Sequence, residues 1–173
     1  QIVDSVHDTS NEGEYTSIPT GGIELNGTHY VFYMAIKDWQ NNTWNVNYCN
    51  VAKSTDGKNF VKMNNLYWLN SSAKNSRAEA NVMGTLGVSK ADAAGHVAPA
   101  FMQIFPYIYG DYVYMFGLPS GRSGGVKLAR VLKADIESFD KYQYYYDGNW
   151  YTGAEVLAKV KDEMDEASYV VLP

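Results

Sequence analysis

Along much of the chain apolar and polar residues alternate, the two-residue period that turns one face of a β-strand to a core and the other outward. Thr28 to Ile36 interleaves β-branched and aromatic residues, and Tyr112 to Leu118 does the same. Both classes fit a pleated, half-buried surface. A turn precedes each run, Asn26-Gly27-Thr28 in one case and Gly110-Asp111 in the other. Asn-Gly marks a hairpin because both central positions of a type I′ turn need positive φ. Each run then passes through a polar, Gly- or Asn-rich stretch into another strand, Tyr48 to Lys53 and Val126 to Val131. The pattern predicts one strand meander written twice.

In the first copy the predicted strands are 16–25, 28–36 (running on to Trp39), 44–54 and a short outer strand at 59–63, reached through Thr55-Asp56-Gly57-Lys58. Pro19 removes a ladder donor, and Gly21-Gly22 lets another backbone approach closely, as an innermost strand requires. In the second copy the strands fall at 101–109, 112–118, 126–132 and 142–146, with a short 3-10 turn within 134–139 and another turn at 147–150. Residues 64–97 are the least regular and read as the link between the two units. Val156, Leu157, Val160 and Met164 are spaced for a short helix, and Ser168 to Pro173 reads as a final strand.

The organisation expected is a single domain: a first unit at about 14–63, the link at 64–97, a second unit at 98–151, and a helix with the start of a further unit at 152–173. Repeated four-stranded meanders are the sequence mark of a β-propeller. The fold class expected is therefore all-β and propeller-like, made of antiparallel four-stranded blades with a short C-terminal helix. Two units fall short of the roughly 4 to 8 blades that close a ring. The expectation is a piece of a longer protein, a different all-β arrangement, or a chain that completes its sheet with a partner through open strand edges.

Charge narrows the partners. A net charge of -5 over 173 residues disfavours nucleic acid, whose phosphates call for clustered Lys and Arg. No run of about 18 apolar residues suggests a bilayer span, so no membrane insertion is expected. Gln1 to Ser10 lack the build of a signal peptide, and an export signal is expected to have been cut away. The single Cys49 excludes an internal disulfide and reads as a small buried hydrophobe. Fifteen Tyr and four Trp, with many Asn, Ser and Gly, resemble secreted or surface carbohydrate-active proteins.

Candidate chemistry follows from that composition. Glycoside hydrolysis uses two carboxyl groups about 5 to 9.5 Å apart across a sugar. Glu14, just before the first inner strand, is the best carboxylate, although a solvated loop position suits it as well. Asp38, at a loop mouth beside Trp39, could hold a sugar hydroxyl. Trp39 and Trp44 flank a loop and could stack on sugar rings or pack between units. Phe101 to Tyr109 offers only Gln103 as a polar group, so the chain shows no convincing acid/base pair. Arg122 follows a Pro-Ser-Gly turn, from which its guanidinium could reach a ligand or an inter-unit carboxylate. Tyr33 completes the expected groove. His7, His29 and His96 have no metal-ligand spacing, and no phosphate-binding loop is present. No cofactor and no metal are expected.

Thr16 to Gly22, Tyr30 to Met34, Tyr112 to Arg122 and Gly125 to Val131 together resemble the bacterial family called domain of unknown function 4185. The likeness covers roughly 14–63 and 98–151. It implies a secreted or surface five-bladed propeller, with some members hydrolysing D-arabinan. It also implies further blades on either side, which would supply at least one catalytic carboxylate. The function expected is part of a glycoside hydrolase acting on arabinan-type or related polysaccharide, with a non-catalytic carbohydrate- or protein-binding module as the alternative.

Overall fold

A computed structural model describes residues 14–39, 44–70, 95–122 and 124–156. The chain is all-β. Strands β1 (Thr16–Leu25), β2 (Thr28–Asp38), β3 (Asn45–Ser54) and β4 (Val61–Leu69) form one antiparallel sheet in that order. Strands β5 (Gln103–Tyr109), β6 (Tyr112–Leu118), β7 (Lys127–Leu132), β8 (Gln143–Tyr146) and β9 (Asn149–Thr152) form a second. A helical turn begins at 153–156. The loop at 40–43, the segment 71–94, and the expected helix and strand beyond 156 lie outside the described residues, as does His7.

The two meanders fold as the alternation predicts. Asn26 and Gly27 take φ of 51° and 81°, the left-handed pair a type I′ hairpin demands. Asp147 and Gly148 repeat it at 43° and 81°. That second hairpin corrects the expectation of a simple turn at 147–150: Asn149 and Trp150 belong to β9, and the second sheet has five strands rather than four. The outer strand of the first sheet also differs. It runs Val61–Leu69 instead of 59–63, because a register irregularity between Asn50 and Ala52 lets β4 resume pairing with β3 at Tyr67 to Leu69. The expected 3-10 turn resolves into two, Lys133–Asp135 and Phe139–Lys141.

One core joins the sheets. Phe32, Met34 and Ile36 of β2, Cys49 and Val51 of β3 and Trp68 of β4 pack with Ile104, Val113, Met115, Val131 and Tyr144 of the second sheet. The Trp68 indole N–H donates to the Tyr144 hydroxyl at 3.0 Å. Glu137, between the two 3-10 turns, accepts from Tyr30 at 2.9 Å and from Lys53 at 2.6 Å in the first sheet. Burial, and then the hydrogen bond to Glu137, push the Tyr30 phenol up to about 12. The first sheet buries its other face as well, with Tyr33, Ala35, Tyr48, Tyr67 and Leu69 gathered there.

The first strands of the two sheets, β1 and β5, lie side by side, and Gly21 is where they meet. A Cβ added there would stand 2.6 Å from Pro106 Cδ, closer than packed side chains tolerate, and 3.3 Å from the Phe105 ring. Gly21→Ala should therefore cost about 1–3 kcal/mol through overpacking, read as a lowered midpoint in urea unfolding. No loss of stability would mean that the strands can separate at little cost.

Candidate functional site

β1 slips register between Pro19 and Gly21, leaving Thr20 as the extra residue of a bulge, a device that re-aims a side chain. Its hydroxyl stands 2.7 Å from the Ile104 carbonyl of β5 and 3.2 Å from that of Phe32. One hydroxyl carries one proton, so the shorter contact to β5 is the better bond. Beside it opens a groove of about 160 Å³, lined by Thr20, Gln103, Ile104, Phe105, Phe116, Leu118 and Val126. The lining is two apolar rings, aliphatic side chains, one hydroxyl and one amide. None of these residues carries a carboxyl group.

Strand direction gathers most of the candidates at one end of the two sheets. Glu14 precedes β1, Asp38 closes β2, Trp39 follows it, Gln103 opens β5 and Arg122 comes just after β6. Ser120 ties that end together. Its hydroxyl donates to the Trp44 carbonyl at 2.8 Å and accepts from the Val46 N–H at 2.9 Å, which holds the 3-10 turn Ser120–Arg122 against the start of β3. The Arg122 side chain lies outside the described part. Trp39 and Trp44 pack with ring centroids 5.7 Å apart, and Trp39 keeps 44 % of its surface exposed. Asp38 is buried and accepts a hydrogen bond from the Asn45 side-chain amide. Of the expected residues whose side chains are described, Gln103 alone lines the groove itself.

Glu14 is not solvated. It is fully buried, with Oε1 accepting from Lys62 Nζ at 2.6 Å and Ser17 Oγ at 2.5 Å, and Oε2 from the Tyr48 hydroxyl at 2.5 Å. Tyr33, in the middle of β2, is buried on the same outer face of the first sheet, with Lys62 Nζ 5.5 Å from its ring centroid. Burial, and then the negative charge of Glu14, push the Tyr33 and Tyr48 phenols upward. Both therefore remain protonated. Tyr48 gives its proton to Glu14, whereas the Tyr33 hydroxyl finds no hydrogen-bond acceptor among the described residues. With both oxygens engaged, Glu14 is built as an anchor between β1 and the third and fourth strands, and it is not a lining residue of the groove.

Sequence reasoning missed Thr20, Ile104, Phe105, Phe116, Leu118 and Val126 in the groove and Lys62 at Glu14. The signal for Thr20 was present in its flanking Pro19 and Gly21, two residues that disturb a ladder. Lys62 carried no signal, because its partner is 48 positions away. The Ser54 to Asn59 turn satisfies itself: Asp56 accepts from the N–H groups of Lys58 and Asn59 and from two side chains, which hold its carboxyl well below the usual range. Among the described residues no group of three His, Cys, Asp or Glu side chains gathers where it could hold a metal ion, and no helix is long and apolar enough to cross a membrane.

Cys49 is buried in the core. Burial pushes its thiol up, against a smaller downward pull from backbone hydrogen bonds. Since the thiolate is the reactive form, an aromatic disulfide reagent should leave the native chain unmodified over hours and label one thiol per chain in urea. Rapid labelling of the folded chain would show the core opening at β3.

The fold and this end of it define an all-β protein of two antiparallel sheets, with a small amphiphilic groove where β1 and β5 meet. The chain belongs to the family described as Domain of unknown function (DUF4185), which it matches over residues 1–171. No curated protein matches it.

Proposed function

We propose that the chain is part of a secreted or surface carbohydrate-active protein, a propeller whose innermost strands border the ligand, and that it holds an arabinan-type or related polysaccharide in the groove beside Thr20. The observation that carries this reading is the groove's lining. The Phe105 and Phe116 rings offer apolar surface to the C–H face of a sugar, while the Gln103 amide and the Thr20 hydroxyl match its hydroxyls. A volume of about 160 Å³ suits a single sugar ring and leaves the rest of a polymer outside.

Within a glycoside hydrolase this chain supplies binding, and the acid and base come from residues outside the described lining. A second reading, a non-catalytic binding module, is favoured by a specific observation: the groove lacks a carboxylate and Glu14 is saturated with donors.

The test is affinity electrophoresis of the full chain in gels containing arabinan, with reducing-end release measured in parallel. Retardation that Gln103→Ala weakens at least about tenfold, the scale expected when a hydrogen-bonding group is deleted and the sugar hydroxyl it faced is left unpaired, supports saccharide binding. Retardation without release favours the module. Absence of retardation on arabinan and related polysaccharides would end the carbohydrate reading.

A further inference from the structure

The Thr20 hydroxyl is held so that it can serve a ligand in one sense only. Its proton faces two backbone carbonyls, that of Ile104 at 2.7 Å and that of Phe32 at 3.2 Å. Carbonyl oxygens accept and never donate, so whichever of the two takes the proton, none is left for a third partner. A hydroxyl that has donated still keeps acceptor lone pairs. Among the described residues no N–H or O–H group donates to Thr20 Oγ1, and the side chain lines the groove. What Thr20 offers there is an acceptor.

The arrangement is fixed from both sides. On β1, Thr20 is the extra residue between Pro19, which has no N–H for the ladder, and Gly21, which is pressed against Pro106 of β5. Its β-branched side chain is stiff about χ1. On β5, Ile104 is fully buried and paired with Gly117 of β6, so its carbonyl has no room to turn away. A hydroxyl whose proton is engaged is also the better acceptor, because hydrogen bonds in series polarise one another. The Gln103 amide differs in kind: it carries donors and an acceptor together and suits either polarity of partner.

We propose that Thr20 is the specificity-determining residue of the groove, an obligate acceptor that takes the proton of one unsubstituted hydroxyl on the bound sugar. This deepens the saccharide reading above and rests on it. A sugar whose hydroxyl at that position is deoxygenated leaves Thr20 Oγ1 without a donor. One that is methylated, acylated or fluorinated there sets acceptor against acceptor. A uronic carboxylate does so with a full negative charge, and the lining holds no Lys, Arg or His to offset it. The ligand class that follows is a neutral sugar residue bare at the hydroxyl Thr20 meets. A site built to hydrogen-bond a hydroxyl rejects the analogue lacking it far more sharply than an apolar pocket rejects a missing methylene.

The experiment is affinity electrophoresis of the full chain in arabinan gels, with methyl arabinofuranoside and its derivatives bearing fluorine in place of one hydroxyl as soluble competitors. Fluorine keeps the size of the hydroxyl and cannot donate. Against the wild type, one derivative is expected to compete at least about tenfold more weakly than the parent glycoside. Against Thr20→Val, parent and derivative should compete alike, the mark of a pairwise interaction already removed. Thr20→Val should itself weaken retardation at least about tenfold, and Thr20→Ser, which keeps the hydroxyl, should restore it. Circular dichroism checks that both variants are folded. Retardation that Gln103→Ala weakens and Thr20→Val leaves unchanged would overturn the proposal while the saccharide reading stands. Fluorinated derivatives that all compete as well as the parent would overturn it too, in an arm that uses wild-type protein alone. No wild-type retardation would overturn both.

Discussion

Trp68→Ala is expected to destabilise the chain by about 3–5 kcal/mol, the range for deleting a fully buried large aromatic. Trp68 is 0 % exposed and sits where the sheets meet. Its ring packs against Phe32 of the first sheet and against Phe139 and Tyr142 of the second unit, at centroid separations of 6.2, 5.6 and 5.4 Å. Alanine removes that packing and leaves the Tyr144 hydroxyl, buried and pushed up by that burial, without the indole donor. In a chain of this size each kcal/mol moves the melting temperature by about 2–4 °C, so calorimetry should show a fall of about 10 °C. Trp68→Phe should recover part of it. A loss below about 1 kcal/mol would mean that the two sheets are not packed through this residue.

The second large effect falls on Glu14. Glu14→Gln keeps the shape and removes the charge that faces Lys62, whose side chain is only 26 % exposed. Breaking a buried ion pair by removing one partner costs about 3–5 kcal/mol, and the partial exposure of Lys62 places this case near 3. Glu14→Gln with Lys62→Met should recover most of the loss, because an apolar replacement for both partners is often neutral. The substitution also separates two roles. An anchoring Glu14 gives lost stability with saccharide retardation unchanged; a catalytic one gives unchanged stability and, in an active hydrolase, abolished reducing-end release. Urea unfolding and the release assay read the two outcomes independently.

Much of the fold was legible because its signals are local. Asn26-Gly27, the alternation from Thr28 onward and the strand at Tyr112–Leu118 depend on neighbours in sequence, and each lies where the pattern put it. The second hairpin was half legible: Asp147-Gly148 was read as a turn, but β9 is four residues long, too short to announce itself by periodicity. The length of β4 was not legible, because the irregularity that restores its pairing belongs to the ladder with β3 and not to either strand alone.

The candidate site was less legible, for a physical reason. Burial of a polar residue depends on what the chain brings over it, and Glu14 sits in a stretch of loop composition while its partners come from β1, β3 and β4. Tyr33 was expected in the groove because aromatic residues suit sugars, yet the alternation of β2 turns it to the opposite side from Phe32 and Met34. Gly21 is the counterexample: a glycine pair in a strand pointed to a close backbone approach, and β5 is what approaches.

Within both sheets every ladder joins strands that follow one another along the chain. Contacts of short sequence separation form fast, whereas closing long loops is slow. Each meander can thus zip up by itself, with the docking of one sheet on the other coming after. Mutations at that junction should then speed unfolding more than they slow folding.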